Sequence, residues 1–86
     1  MLKILKFSAG WCFPCRTMKP IIAELEREET EVEFEEIDID ENQELSAQFS
    51  IKAIPTIVFV KDGKEVARLV GLNSKANIKA QIDNWR

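Results

Sequence analysis

Apolar residues along this chain fall into short runs separated by charged or small residues, and the spacing within each run predicts an element. Leu2 to Phe7 is short and apolar with lysines at Lys3 and Lys6, which reads as a strand, and Ser8-Ala9-Gly10 suit a tight loop after it. The chain then enters a helix in which Met18, Ile21, Ile22 and Leu25 recur at helical spacing. Pro14 fits its first turn, where a missing N–H does no harm. Pro20 lies inside the run, removes the bond to the Arg16 carbonyl and predicts a kink.

Glu31 to Ile39 is the next strand, with Val32 and Phe34 on one face and Glu33 and Glu35 on the other before Ile37 and Ile39 reverse the pattern. Such a mix suits a sheet edge. Glu31, Glu33, Glu35 and Glu36 would there discourage pairing with another chain, or simply form a solvated face. Asp40 with Gln43 resembles a helix cap, and Leu45 with Phe49 marks a short helix ending near Ser50. Thr56 to Val60 is nearly all apolar or β-branched, as a strand covered on both faces should be. Lys61-Asp62-Gly63-Lys64 is a hairpin turn signal leading to a strand over Glu65 to Val70. Asn73 or Ser74 caps a last helix whose Ile78, Ile82 and Trp85 form one apolar stripe. The order is βαβαββα.

Length and charge narrow this picture. With 86 residues, 45% of them hydrophobic, residues 1–86 form one domain around a modest core. A net charge of -3, with acidic residues gathered between Glu24 and Glu44, argues against nucleic acid as a partner. Met1 to Phe7 has no long apolar run before a cleavage site, and no run elsewhere reaches membrane-spanning length. The expectation is a soluble, cytoplasmic chain with no membrane partner, whose thiols are kept reduced.

The only two cysteines, Cys12 and Cys15, stand two residues apart at a strand-to-helix junction. A Cys-x-x-Cys pair serves either as half of a zinc site or as a dithiol that opens and closes a disulfide. Structural zinc wants four Cys or His ligands, and the chain has no histidine and no second cysteine pair, so no metal is expected. A purely structural disulfide is the plain alternative, although so short a loop adds little chain-entropy stabilisation. The βα setting favours a redox-active pair.

Trp11-Cys12-Phe13-Pro14-Cys15 after an apolar strand, Ile54-Pro55-Thr56 further on, and Gly71 ahead of a last helix resemble the thioredoxin family over essentially the whole chain. The resemblance implies an α/β architecture: a minimal thioredoxin fold of order βαβαββα, with a four-stranded mixed sheet flanked by three helices. Thioredoxins normally begin with an additional strand and helix, for which this sequence starts too late. The implied activity is reduction of protein disulfides by a monomer through a Cys12–Cys15 redox-active disulfide. It needs no other cofactor and takes its electrons from a flavin-containing thioredoxin reductase.

Residue roles follow from the same placement. Cys12, at a helix N-terminus whose unpaired N–H groups favour negative charge, is the expected attacking thiolate that meets solvent. Cys15, a turn further in and more buried, is the resolver. Resemblance makes Ile54-Pro55 a cis bond facing the cysteines, presenting the Ile54 backbone to an extended substrate. Trp11, Phe13, Pro14, Ala53, Ile54, Pro55, Gly71 and Leu72 then make up a shallow substrate-binding rim, with Gly71 leaving room for close backbone approach.

Two positions depart from the family. Thioredoxins usually carry a buried aspartate where Lys6 stands, and glycine where Phe13 stands. Lys6 shares a face with Leu2 and Ile4, so it either turns inward and pairs with Glu36, favouring thiolate at the site, or runs its stem out to solvent. Phe13 predicts an altered reduction potential, without a sign. Two other functions stay open: a glutaredoxin-like reductase using glutathione, though Gly71-Leu72-Asn73-Ser74 lacks that family's glycine-aspartate pattern, and a non-catalytic module that docks partners on the rim around Trp11.

Overall fold

A computed structural model describes all 86 residues. Strand β1 (Leu2–Ser8) leads into helix α1 (Phe13–Glu28), followed by β2 (Glu33–Asp38), α2 (Gln43–Gln48), β3 (Thr56–Lys61), β4 (Lys64–Val70) and α3 (Lys75–Trp85). The sheet order is β2-β1-β3-β4, with β2 parallel to β1 and the other two contacts antiparallel. This is the expected four-stranded mixed sheet with three helices.

Alternation along β1 decides which helix covers which face. Leu2 and Ile4 point one way and join Ile57 and Phe59 of β3, Met18 and Leu25 of α1, and Ile78 and Ile82 of α3 in the larger core cluster. Leu5 and Phe7 point the other way, with Ile37 and Val58, onto Leu45 of α2 and Phe49 just past its end. The Phe7 and Phe49 rings lie tilted with centroids 5.6 Å apart. Strand β3 is therefore packed on both faces, as its unbroken apolar run requires. The hairpin after it turns on Asp62 and Gly63, both at positive φ, the geometry that matches strand twist in a two-residue loop.

Helix α1 runs without interruption through Pro20, and Ser74 caps α3 by accepting the Asn77 N–H at 3.1 Å. Two expectations need correcting. Asp40 does not cap α2; the capping position is Asn42, which makes no side-chain capping bond. Nor are the acidic residues of the edge strand merely solvated. Glu33 and Glu35 pair with Lys3 at 3.5 and 3.0 Å across the β1–β2 ladder, and Glu31 pairs with Arg86. Each of these edge carboxylates has a cation partner within the chain.

Candidate active site

The site forms where β1 ends and α1 begins. The chain turns at Ala9, whose carbonyl accepts the Cys12 N–H at 3.1 Å, and Cys12 takes extended angles (φ -88°, ψ 109°) as the residue just ahead of α1. Its sulfur acts as the cap, accepting the Cys15 N–H at 3.2 Å, one of the orphan donors of a helix start. Pro14, second in the helix, has no N–H to leave unpaired. Cys12 and Cys15 are joined as a disulfide with Cα atoms 5.3 Å apart.

The two sulfurs differ less in exposure than the sequence suggests. Cys12 is 4% exposed and Cys15 1%. The order is as expected, but in this disulfide form the first cysteine does not lie open to solvent. Ala9, Ile39 and Ile54 pack against the pair and account for its cover.

The Ile54–Pro55 bond is cis, and Ile54 lies against the cysteine cluster although 39 residues separate it from Cys15. Thr56 Oγ1 donates to the Ala53 carbonyl at 2.6 Å, and the Gly71 N–H donates to the Pro55 carbonyl at 2.8 Å, so the loop is tied on both sides of the proline. The Ile54 N–H and C=O take no part in backbone hydrogen bonding within the chain. Gly71 sits at φ +81°, and nothing lies within 4 Å of where a Cβ would stand. Within the chain, backbone conformation is what calls for glycine there.

Trp11 and Phe13 flank the first cysteine at 67% and 74% exposure, and Leu72, beside Gly71, is exposed too. Pro14 and Ala53 are exposed and Pro55 is buried. One contributor escaped the sequence reading. Asp40 Oδ2 accepts the Trp11 indole N–H at 2.9 Å, tethering the exposed ring next to Cys12 in the chain. No local pattern links two residues 29 apart.

Lys6 lies beneath the cysteines, only 2% exposed. Its stem does not run out to solvent: Nζ donates to the Cys15 carbonyl at 3.1 Å and to Glu36 Oε2 at 3.5 Å. Glu36 sits opposite it in the β1–β2 register and is half exposed, with Lys19 3.9 Å from its other oxygen. Burial holds the Lys6 ammonium below the usual lysine range; Glu36 opposes that shift and Lys19 adds to it. The expected Lys6–Glu36 pair is present, and it is long.

Comparison with known proteins places this geometry. The thioredoxin family model matches residues 1–84. A thioredoxin H-type 1 from Nicotiana tabacum is 47% identical over 70 residues, covering 81% of this chain and 56% of its own length. The crystal structure of Fasciola hepatica thioredoxin superposes with a TM-score of 0.94 at 42% identity, over 99% of this chain and 81% of that one. A thioredoxin from Nicotiana alata gives 0.95 at 38% identity, over 99% and 73%. The chain spans a little over half the length of the tobacco relative.

Proposed function

Because the chain belongs to the thioredoxin family, we propose that it is a thiol-disulfide oxidoreductase that reduces protein disulfides through the Cys12/Cys15 dithiol. The observation that carries the reading is the Cys12 sulfur at the capping position of α1, accepting the Cys15 N–H. A helix start with free donors stabilises an anion there, and the thiolate is the nucleophile in disulfide exchange.

The steps follow from that asymmetry. The Cys12 thiolate attacks one sulfur of the substrate disulfide; that bond breaks, and the departing sulfur leaves as a thiolate and takes up a proton. Cys15 then gives up its proton and attacks the Cys12 sulfur. The second substrate sulfur is released and the Cys12–Cys15 bond closes, so that two electrons have passed to the substrate. An extended substrate strand would pair with the free N–H and C=O of Ile54, ahead of Pro55, while Trp11, Phe13, Pro14, Ala53, Gly71 and Leu72 meet its side chains. Cys12 reaches its target after reduction opens the ring that now packs under Ile54. The chain works as one cytoplasmic, monomeric domain with no cofactor beyond its own disulfide, and a flavin-containing thioredoxin reductase returns it to the dithiol.

Insulin reduction tests the reading, with a thioredoxin reductase system or glutathione as the electron source. Turnover should depend on the reductase and vanish in Cys12→Ser, while Cys15→Ser should trap substrates as mixed disulfides. Rapid turnover on glutathione alone would move the assignment to a glutaredoxin-like reductase. Undiminished reduction by Cys12→Ser would remove the enzyme reading and leave a docking module.

A further inference from the structure

Lys6 is hard to account for as a contribution to folding. A buried ammonium needs close counter-charge to offset its desolvation, and the only carboxylate it meets is 3.5 Å away and half exposed. Its head also lies against the first turn of α1, where the helix dipole is positive and a cation is unfavourable. Those two positive sources add at one place, the cysteines. Cys15 is 1% exposed, so the field between Lys6 and the pair passes through protein and is weakly screened.

Of the charged groups around Lys6, only Glu36 forms an ion pair with it. From α1 come Arg16 and Lys19 on one side and Glu26 on the other; from β2 come Glu35, Glu36 and Asp38; β3 sets the apolar Ile57 opposite Lys6. Glu36 lines two cavities, one of 150 Å³ shared with Cys15 and one of 230 Å³ shared with Lys6. The carboxylate is thus the adjustable element. It meets solvent, while the ammonium is fixed inside.

We propose that Lys6 is an electrostatic positioning residue whose buried charge favours the thiolate of the Cys12/Cys15 dithiol, making the disulfide easier to reduce and the chain a milder reductant. The inference rests on the dithiol reading above and assigns it a redox direction. In exchange with glutathione, two glutathione thiols supply two electrons and become glutathione disulfide as the Cys12–Cys15 bond breaks. One proton stays on Cys15, the other goes to solvent, and Cys12 remains a thiolate. Whatever stabilises that thiolate stabilises the reduced chain and raises its potential. Glu36 partly neutralises the ammonium and so sets how much of its charge the sulfurs feel.

The test is equilibration of the full chain with glutathione buffers at pH 7, alongside titration of thiolate absorbance in the reduced chain. Lys6→Met and Lys6→Gln, the second of which keeps a donor without the charge, should each raise the thiol pKa. Each should lower the reduction equilibrium constant about tenfold, ~30 mV for a two-electron couple. Glu36→Gln, a half-exposed site that leaves the core intact, should shift both quantities the opposite way, and Lys6→Arg should stay near wild type. A merely structural lysine would not give shifts of opposite sign. Potentials unchanged in the two Lys6 variants, or unchanged or lowered in Glu36→Gln, overturn the proposal, and the Glu36 result decides alone if the Lys6 variants do not fold. A wild type that never equilibrates with glutathione or any dithiol overturns the dithiol reading and this inference with it.

Discussion

Lys6 and Glu29, the two charged residues buried in this chain, sit at opposite ends of α1, a 16-residue helix about 24 Å long at 1.5 Å per residue. Both are on the wrong end for the helix dipole: a cation by the N-terminus and a carboxylate just past the C-terminus. They are equally hidden, at 2% and 5% exposure, and differently provided for. Glu29 accepts from Lys79 at 2.9 Å and from Arg86 at 2.6 Å, and these partners hold its carboxyl below the usual range. Lys6 has a carbonyl and one long ion pair, and burial dominates its shift. The Glu29 end fastens α3 to the end of α1. The Lys6 end carries a charge that packing does not require, beside the residues that react.

The largest effect separates loss of fold from loss of charge. Met18 is fully buried one turn beyond Cys15, between the sheet and α1. Met18→Ala should cost about 2–5 kcal/mol in denaturant unfolding, as buried large-to-small changes do, while the thiol pKa stays at its wild-type value. If the thiol pKa moves as far in Met18→Ala as in Lys6→Met, core disruption accounts for both and the contrast between the two ends disappears.

Next in size is the contrast itself. Glu29→Gln should lower the melting temperature by several degrees, because it leaves Lys79 and Arg86 without the carboxylate they share, and should leave the potential alone. Lys6→Met should leave the melting temperature unchanged or raise it, since replacing a poorly paired buried charge with an apolar side chain of similar volume is neutral or stabilising. Equal losses of stability at both ends would mean that Lys6 is a structural residue after all.

The pH dependence should carry a signature of each residue in its own pH window. The folded pKa of Glu29 lies below its usual 4.5, so its contribution is fully present above that value and is lost as pH falls through the folded pKa. The folded pKa of Lys6 also lies below its usual value, 10.5, and the slope has the same sign, although here it is the charged form that folding disfavours. Between the folded pKa and 10.5 the unfolded chain holds more protons, so stability rises with pH as the buried ammonium is released. Melting profiles should show a shallower acid loss in Glu29→Gln and a missing alkaline gain in Lys6→Met. Identical profiles in the variants and wild type would count against both assignments.

The same contrast explains what the sequence could reveal. The strands, the long helix and the cysteine motif were legible because periodicity, a proline in a first turn and a two-residue spacing are all local. Lys6 was half legible: alternation along β1 turned it inward and the family resemblance offered Glu36 as its partner, but whether the ammonium stayed inside or ran out to solvent depended on packing that no local pattern shows. Glu29 was invisible, one glutamate in an acidic stretch, because Lys79 and Arg86 lie 50 and 57 residues away in sequence. The cover over Cys12 was missed for a related reason: resemblance set Ile54-Pro55 facing the cysteines, but how closely Ile54 and Ile39 pack on them is a matter of tertiary contact.

Asp40 gives the smallest effect and the finest test of whether the site end is built for contact. Its place after β2 suggested a helix cap, yet its carboxylate holds the Trp11 indole, and an exposed aromatic ring beside a reactive sulfur is useful only when it is held still. One such hydrogen bond is worth about 1 kcal/mol net, so Asp40→Ala should raise KM for a disulfide-bonded protein by up to about fivefold with kcat unchanged. Melting temperature should hardly move, because both groups are exposed and neither belongs to the core. Anisotropy decay in a Trp85→Phe background should report a freer Trp11 ring. A looser ring with an unchanged KM would take Trp11 out of the contact surface, whereas a fall in kcat would mean that Asp40 acts on the sulfurs themselves. The expected split ties Asp40 to substrate contact and leaves the chemistry to the cysteines and the charge beneath them.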